Sequence, residues 1–141
     1  MSNENILKIS ESEQKELFPS LYYMISHLHE FVEKFYENLL KTDAGKLFNQ
    51  DRLENQKKKF EASFKIILYN IQHPMNLQDH LNTIVSKHLE LGIRPDHIDN
   101  FTEAFMISIN ELFQNYFDLK ILKIWEKLMS DLLAYFNKKI A

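Results

Sequence analysis

The sequence contains no cysteine. That absence removes disulfide scaffolds, thiolate metal centres, thiol catalysis and thiolate-ligated cofactors together, and it is compatible with a reducing compartment. Glycine and proline are almost as scarce, at two and three among 141 residues. A chain so poor in breakers, and rich in Leu, Lys, Glu, Asn and Phe, is predicted to be nearly all helix. Two glycines also cannot build a glycine-rich phosphate loop, so mononucleotide and dinucleotide fingerprints are excluded. No apolar run reaches the roughly 20 residues that span a bilayer. The opening MSNENILKISESEQ lacks the basic, then apolar, character of a signal peptide. With a net charge of -3 and Lys and Glu interleaved along the chain, no basic footprint for nucleic acid is present. The only basic cluster, Lys57-Lys58-Lys59, reads as a solvated helix face. The expectation is a soluble, cytoplasmic protein that binds neither membrane nor nucleic acid.

What is present fits one domain. The hydrophobic share of 45% and eleven Phe against one Trp provide an interior rich in flat rings, and the length suffices to bury a core without disulfide or structural metal. The reading divides the chain into a loose leader over 1–10 and a single all-α domain over 11–141, with six to eight helices. Ser10 or Ser12 is a candidate N-cap, with Glu13 and Glu16 in the first turn. A first helix over 11–26 carries Leu17, Leu21, Met24 and Ile25, with Pro19 in its early turns or bending it. A second, over about 27–41, places Leu28, Phe31, Phe35 and Leu39 on one stripe with Tyr36 beside it, and its joint with the first is not located. Thr42-Asp43-Ala44-Gly45 breaks the pattern. Helix is predicted again over about 51–71, where Leu53, Gln56, Phe60, Phe64 and Ile67 share a face. His73-Pro74 ends it, and 75–79 is expected to be loop. A short helix with Leu81, Ile84, Val85 and His88 on one face follows, closed by Gly92. Pro95 opens the next helix, with Ile98, Phe101, Phe105 and Ile109 inward. Asp118 is the candidate cap of the last, whose stripe includes Trp125, Met129, Leu132 and Phe136.

The histidines decide which chemistry stays open. None of those at 27, 29, 73, 80, 88 and 97 has Glu or Asp three residues before it, which argues against a carboxylate-bridged di-iron bundle. His27 and His29 point to different sides of a helix. There is no predicted strand to present a nucleophilic serine at a strand-to-helix turn. What remains is one histidine on an apolar helix face, a longer helix offering Gln56 and Phe60, and many aromatic rings. Taken alone, such a histidine is more often a core residue than a ligand. A planar, hydrophobic, iron-bearing cofactor accounts for the combination, and haem is the natural candidate.

Three stretches carry a resemblance to a known family. They are Phe35-Tyr36-Glu37-Asn38-Leu39-Leu40, with Leu47-Phe48 following so that Phe48 is twelve residues after the Tyr; Asn55-Gln56 opening the long helix; and Lys87-His88-Leu89-Glu90-Leu91-Gly92-Ile93-Arg94-Pro95-Asp96-His97. Over roughly 14–137 the sequence resembles the globins, specifically bacterial single-domain haemoglobins and the haem domains of flavohaemoglobins. The third stretch looks like that family's proximal-histidine segment, and Trp125 falls where these globins usually carry a Trp. The resemblance implies a globin fold around haem b, with His88 as the axial iron ligand and Phe48 as the ring packed on the haem. It also implies Tyr36 and Gln56 as distal residues, Phe60 closing the pocket over a bound gas, Ile84 and Phe101 among the residues that hold the cofactor, and Lys59 and Lys87 as propionate partners. A hydroxyl at Tyr36 and an amide at Gln56 are donors suited to a diatomic ligand with partial negative charge. Tyr36 as a packing anchor and Gln56 as a solvent-facing residue are the plainer alternatives.

Two positions depart from the pattern. The family usually has Tyr directly after the second histidine, in a hydrogen-bonded Tyr/Glu arrangement; here that position is Ile98, and the acidic partner falls near Ile140. Phe60 is bulkier than the common Leu. The reading that follows is reversible binding of O2, NO or CO at pentacoordinate iron, for oxygen binding or transport or for NO chemistry with a separate reductase, with homodimerisation through the last two helices implied by the resemblance. Loss of the Tyr/Glu pair argues against stand-alone catalysis. A haem-free or weakly haem-binding sensor module is the alternative. A hexacoordinate electron-transfer globin, with Lys57 or Lys58 as sixth ligand, is a third.

Overall fold

A computed structural model describes residues 6–90 and 94–140. Among them are six α-helices: α1 (Glu11–Ser26), α2 (Leu28–Leu39), α3 (Leu53–Tyr69), α4 (Pro74–Glu90), α5 (Pro95–Phe113) and α6 (Leu119–Ile140). Two 3-10 turns, Asp43–Leu47 and Gln50–Arg52, connect α2 to α3. No strand is formed among the described residues.

The helix starts follow local chemistry. Ser10 caps α1 in a reciprocal box: its hydroxyl accepts from the Glu13 N–H at 3.0 Å, and the Glu13 carboxylate accepts from the Ser10 N–H at 2.9 Å. Residues 6–10, grouped with a leader in the sequence reading, pack on the domain: Ile6 and Ile9 are buried and the Lys8 N–H donates to Asp131. The joint between the first two helices is His27. Its backbone (φ -116°, ψ 22°) leaves the helical region, and its ring Nδ1 lies 2.9 Å from the Tyr23 carbonyl. Sequence alone could not find it because the apolar periodicity runs through the bend from Met24 to Phe31. Asp118 starts α6, accepting the Ile121 N–H at 2.8 Å.

The stretch 75–79, expected to be loop, is instead the first turns of α4. Pro74 stands at the head of that helix, where its missing N–H costs nothing, and the Leu77 N–H bonds the His73 carbonyl. The helix of His88 is therefore 17 residues long rather than short. Its expected closure at Gly92 lies outside the described residues.

The main core forms where α2 lies on α5 and α5 meets α6. Phe31, Phe35, Phe105 and Trp125 are fully buried there. Ala104 and Ser108, one turn apart on α5 and both buried, let the α2 backbone come close. The Ser108 hydroxyl donates to the Ala104 carbonyl at 2.7 Å and accepts from Asn38 on α2 at 2.9 Å, so the fully buried hydroxyl at that contact is satisfied twice. Trp125 donates its indole N–H to Ser20, whose hydroxyl donates to the Leu17 carbonyl, tying α6 to α1 next to Pro19.

The corner after α2 is held by two constraints. Ala44 donates its N–H to the Asn100 side chain on α5 at 3.1 Å. Gly45 touches the α2 terminus so closely that a Cβ there would sit 2.6 Å from the Leu40 carbonyl oxygen, a backbone atom that cannot swing aside. Phe48 follows directly, so the corner fixes where that ring enters the fold.

Crowding the α2–α5 contact tests this arrangement. Ser108→Leu is expected to lower unfolding free energy by about 1–3 kcal/mol through overpacking, and Ser108→Ala by only about 1 kcal/mol through the lost hydrogen bonds. Urea midpoints of the two variants measure both.

Candidate functional site

The described residues contain two apolar clusters rather than one. The large one holds the α2, α5 and α6 rings. The small one consists of Val85 on α4, Ile98 on α5 and Phe136 on α6, with Leu133 and Ile140 beside it, and Ile84 packs against both. His88 lies at the small cluster, edge-on to Phe136 with ring centroids 5.4 Å apart.

Helix geometry sets the ring of His88. Its Nδ1 lies 2.8 Å from the carbonyl oxygen of Ile84, four residues earlier. That carbonyl has no hydrogen to give, so Nδ1 carries the proton and donates, and Nε2 is left as the lone-pair nitrogen. Nitrogen so oriented is the ligand form of a neutral imidazole. His97, the second histidine of the sequence pattern, plays another part: it is buried, and its Nδ1 accepts the Arg94 N–H at the start of α5. Among the described residues, no group of three His, Asp or Glu is arranged to hold a metal by itself.

Opposite α4, the corner and α3 bring together four aromatic side chains predicted for the site. Tyr36 is buried, with Phe48 at 5.5 Å and Phe60 at 5.8 Å, both edge to face. Phe60 meets Phe101 at 5.9 Å and stacks on Phe35 at 5.0 Å. Phe48, Phe60 and Phe101, like Ile84 and His88, are only half-buried, so their faces are not consumed by the core.

Helices α3 and α4 are pinned together at Ser63 and His80, whose Nε2 lies 2.9 Å from the serine hydroxyl and 3.1 Å from its carbonyl. Going away from that pin, Gln56 is seven residues along α3 and His88 eight residues along α4, about 10–12 Å in each case at 1.5 Å per residue. Gln56 is half-buried, one turn from Phe60 on the same face of α3. The structure shows no contact between Gln56 and Tyr36. Lys59 and Lys87 are both exposed.

Burial pushes the Tyr36 hydroxyl up from its ordinary 10 to about 12. The phenol therefore stays protonated across the neutral range, and no hydrogen bond within the described residues uses its proton. Tyr36, the half-buried rings beside it and an imidazole bonded through Nδ1 supply the residue types that an iron porphyrin calls for: an imidazole nitrogen, a hydroxyl donor and apolar aromatic contacts.

On the side of His88 the surroundings are apolar. Ile98 is buried against Val85 and Phe136, and Ile140 packs on the same cluster. Among the described residues the Ile84 carbonyl, not a phenol or carboxylate, is the group that accepts from His88.

The sequence reading named His88, Ile84, Phe48, Phe60, Phe101, Tyr36, Gln56, Lys59 and Lys87. It did not find Asn100, which holds the corner, or Ser63 and His80, which hold α3 on α4. Those pairings join residues 56 and 17 apart, and no local periodicity marks them.

The globin family model matches residues 20–136. Among solved structures, a bacterial globin from Campylobacter jejuni is similar in fold, with a TM-score of 0.79 over 93% of this chain and 96% of that one at 15% sequence identity. No curated protein matches the sequence significantly.

The Tyr36 shift has a signed consequence. Because its folded-state value lies above the unfolded one, its contribution to stability is complete below pH 10 and is lost as pH rises toward 12. The loss is on the order of 2–3 kcal/mol. Unfolding free energies measured from pH 9 to pH 12 should fall by that much more in the wild type than in Tyr36→Phe.

Proposed function

The chain belongs to the globin family, and from that premise we propose that it binds haem b through His88 and reversibly takes up a diatomic gas, oxygen first among O2, NO and CO. The observation that carries the proposal is the hydrogen bond from His88 Nδ1 to the Ile84 carbonyl, which turns Nε2 outward from its own helix.

The bound haem would supply an iron with an open coordination position; the chain supplies everything around it. His88 holds the metal from one side. Phe48, Phe60, Ile84 and Phe101 line the cofactor and exclude water, and Lys59 and Lys87, exposed at the rim, neutralise its carboxylates. Tyr36, a neutral phenol, donates its O–H to the gas ligand, with the Gln56 amide as a second donor. Each such bond contributes about 1 kcal/mol, a several-fold slower release. Phe60 limits the size of what enters.

Two observations bear on the competing readings. Lys57 is held by Glu33 on α2 at 3.0 Å and by Glu54 at 3.3 Å, and the Glu33 hydrogen bond raises its ammonium above the usual range. It is engaged as a cation and is a poor sixth ligand, which favours the pentacoordinate form. The apolar setting of His88, with Ile98 and Ile140 in place of hydrogen-bonding partners, gives little electron donation toward the metal. Binding and transport therefore suit the site better than unaided catalysis, and NO conversion would call for a separate reductase.

Reconstitution with haem and a visible spectrum of the reduced protein, with and without CO, tests the proposal. A five-coordinate ferrous spectrum that shifts with CO, and is lost or altered in His88→Ala, is the expected result; no stoichiometric uptake, or a spectrum indifferent to His88, overturns it in favour of a haem-free interaction module. In the reconstituted protein Tyr36→Phe should release oxygen about fivefold faster or more, as read by stopped-flow mixing.

A further inference from the structure

We propose that Tyr135 is a positioning residue for His88: its hydroxyl, donating to Asn82, fixes α4 along its own axis so that the imidazole is offered at one depth and one angle. The inference rests on the haem reading above.

Tyr135 lies on α6 and is buried, and its hydroxyl donates to the Asn82 side-chain oxygen on α4. The Lys139 ammonium lies 5.2 Å from the centre of its ring, one turn further along α6. Phe136, the next residue, is the ring set edge-on against His88. Consecutive side chains of α6 thus touch α4 at two levels, Tyr135 at Asn82 and Phe136 at His88. Between them, two residues after Asn82, is Ile84, whose carbonyl holds His88 Nδ1. The connection runs in series from Tyr135 to Asn82, along two residues of helix to the Ile84 carbonyl, and on to the imidazole.

The two contacts do different things. Phe136 packs by dispersion, which is weakly directional and lets a helix slide or rotate at small cost. The Tyr135 hydrogen bond is directional and fails when its partner moves by an ångström. Packing alone would be served equally by phenylalanine at 135, as it is at 136. The hydroxyl is what gives α4 a register against α6, and His88 inherits that register six residues later.

Three variants test the assignment: Tyr135→Phe, Asn82→Ala and Asn82→Asp, which keeps an acceptor. In haem-reconstituted ferrous protein the resonance Raman band of the iron–imidazole stretch reports the geometry of His88. The expected result is a shifted and broadened band in Tyr135→Phe and Asn82→Ala, no further change when the two are combined, and the wild-type band retained in Asn82→Asp. Haem loss to a scavenging acceptor should quicken roughly fivefold in the first two. A lowered melting temperature with an unmoved band would reduce Tyr135 to a packing residue and overturn the assignment. If the wild type shows no haem-bound band, the haem reading itself fails. The positioning role is then decided on the haem-free protein, where the ring nitrogen shifts of His88 show whether the Nδ1–H tautomer is held in the wild type and lost in Tyr135→Phe, or is the same in both.

Discussion

At residue 108, α5 carries a serine where a larger side chain would hold α2 away. With Ala104 one turn before it, that small surface lets α2 settle against α5, and the Asn38 side chain closes over the serine hydroxyl. The consequences run outward from this contact. Phe31 and Phe35 on α2 reach Phe105, with centroids 4.9 and 6.2 Å away, and the next position along α2 is Tyr36. Tyr36 is itself buried, with Phe48 and Phe60 set edge-on to its ring. The same α5 carries Asn100, which holds the corner, and Phe101, which meets Phe60. One close helix contact thereby places most of the aromatic wall of the candidate site.

The other side of the site is built on a different principle. Helix α4 leans on no comparable ring lattice. It is held at discrete points: Ser63 against His80, Tyr135 against Asn82, Phe136 against His88. Between the two sides the apolar interior is divided into a large and a small cluster that share Ile84. Phe48, Phe60, Phe101 and Ile84 lie half-buried at the edge of the large cluster.

Two isoleucines define what this site is tuned for. At 98 and 140 a phenol and a carboxylate would polarise His88; aliphatic side chains instead complete the small cluster with Val85 and Phe136. That substitution exchanges electron donation for apolar packing on the proximal side.

Much of this was determined by the sequence alone. Scarcity of glycine and proline required helices, the apolar spacing identified which faces turn inward, and the segment from Lys87 to His97 with Phe35-Tyr36 and Phe48 pointed to the globin fold and to the candidate ligand. These are local properties, set by neighbours within a turn or two, and they can be read without knowing the partner. The extent of α4 was misread because Met75 to Asp79 lacks a strong apolar rhythm, while the signal that mattered was Pro74 at the helix head. The joint at His27 was hidden for the converse reason, an unbroken rhythm across a bend. Only the tertiary structure decided the rest: that His88 bonds the Ile84 carbonyl, that Lys57 is taken by Glu33, that Ile98 and Ile140 join one small cluster, and that Tyr135 reaches Asn82. Each joins groups on different helices or selects one rotamer among several. Contacts of that kind are fixed when the helices dock, so no periodicity within a single segment records them.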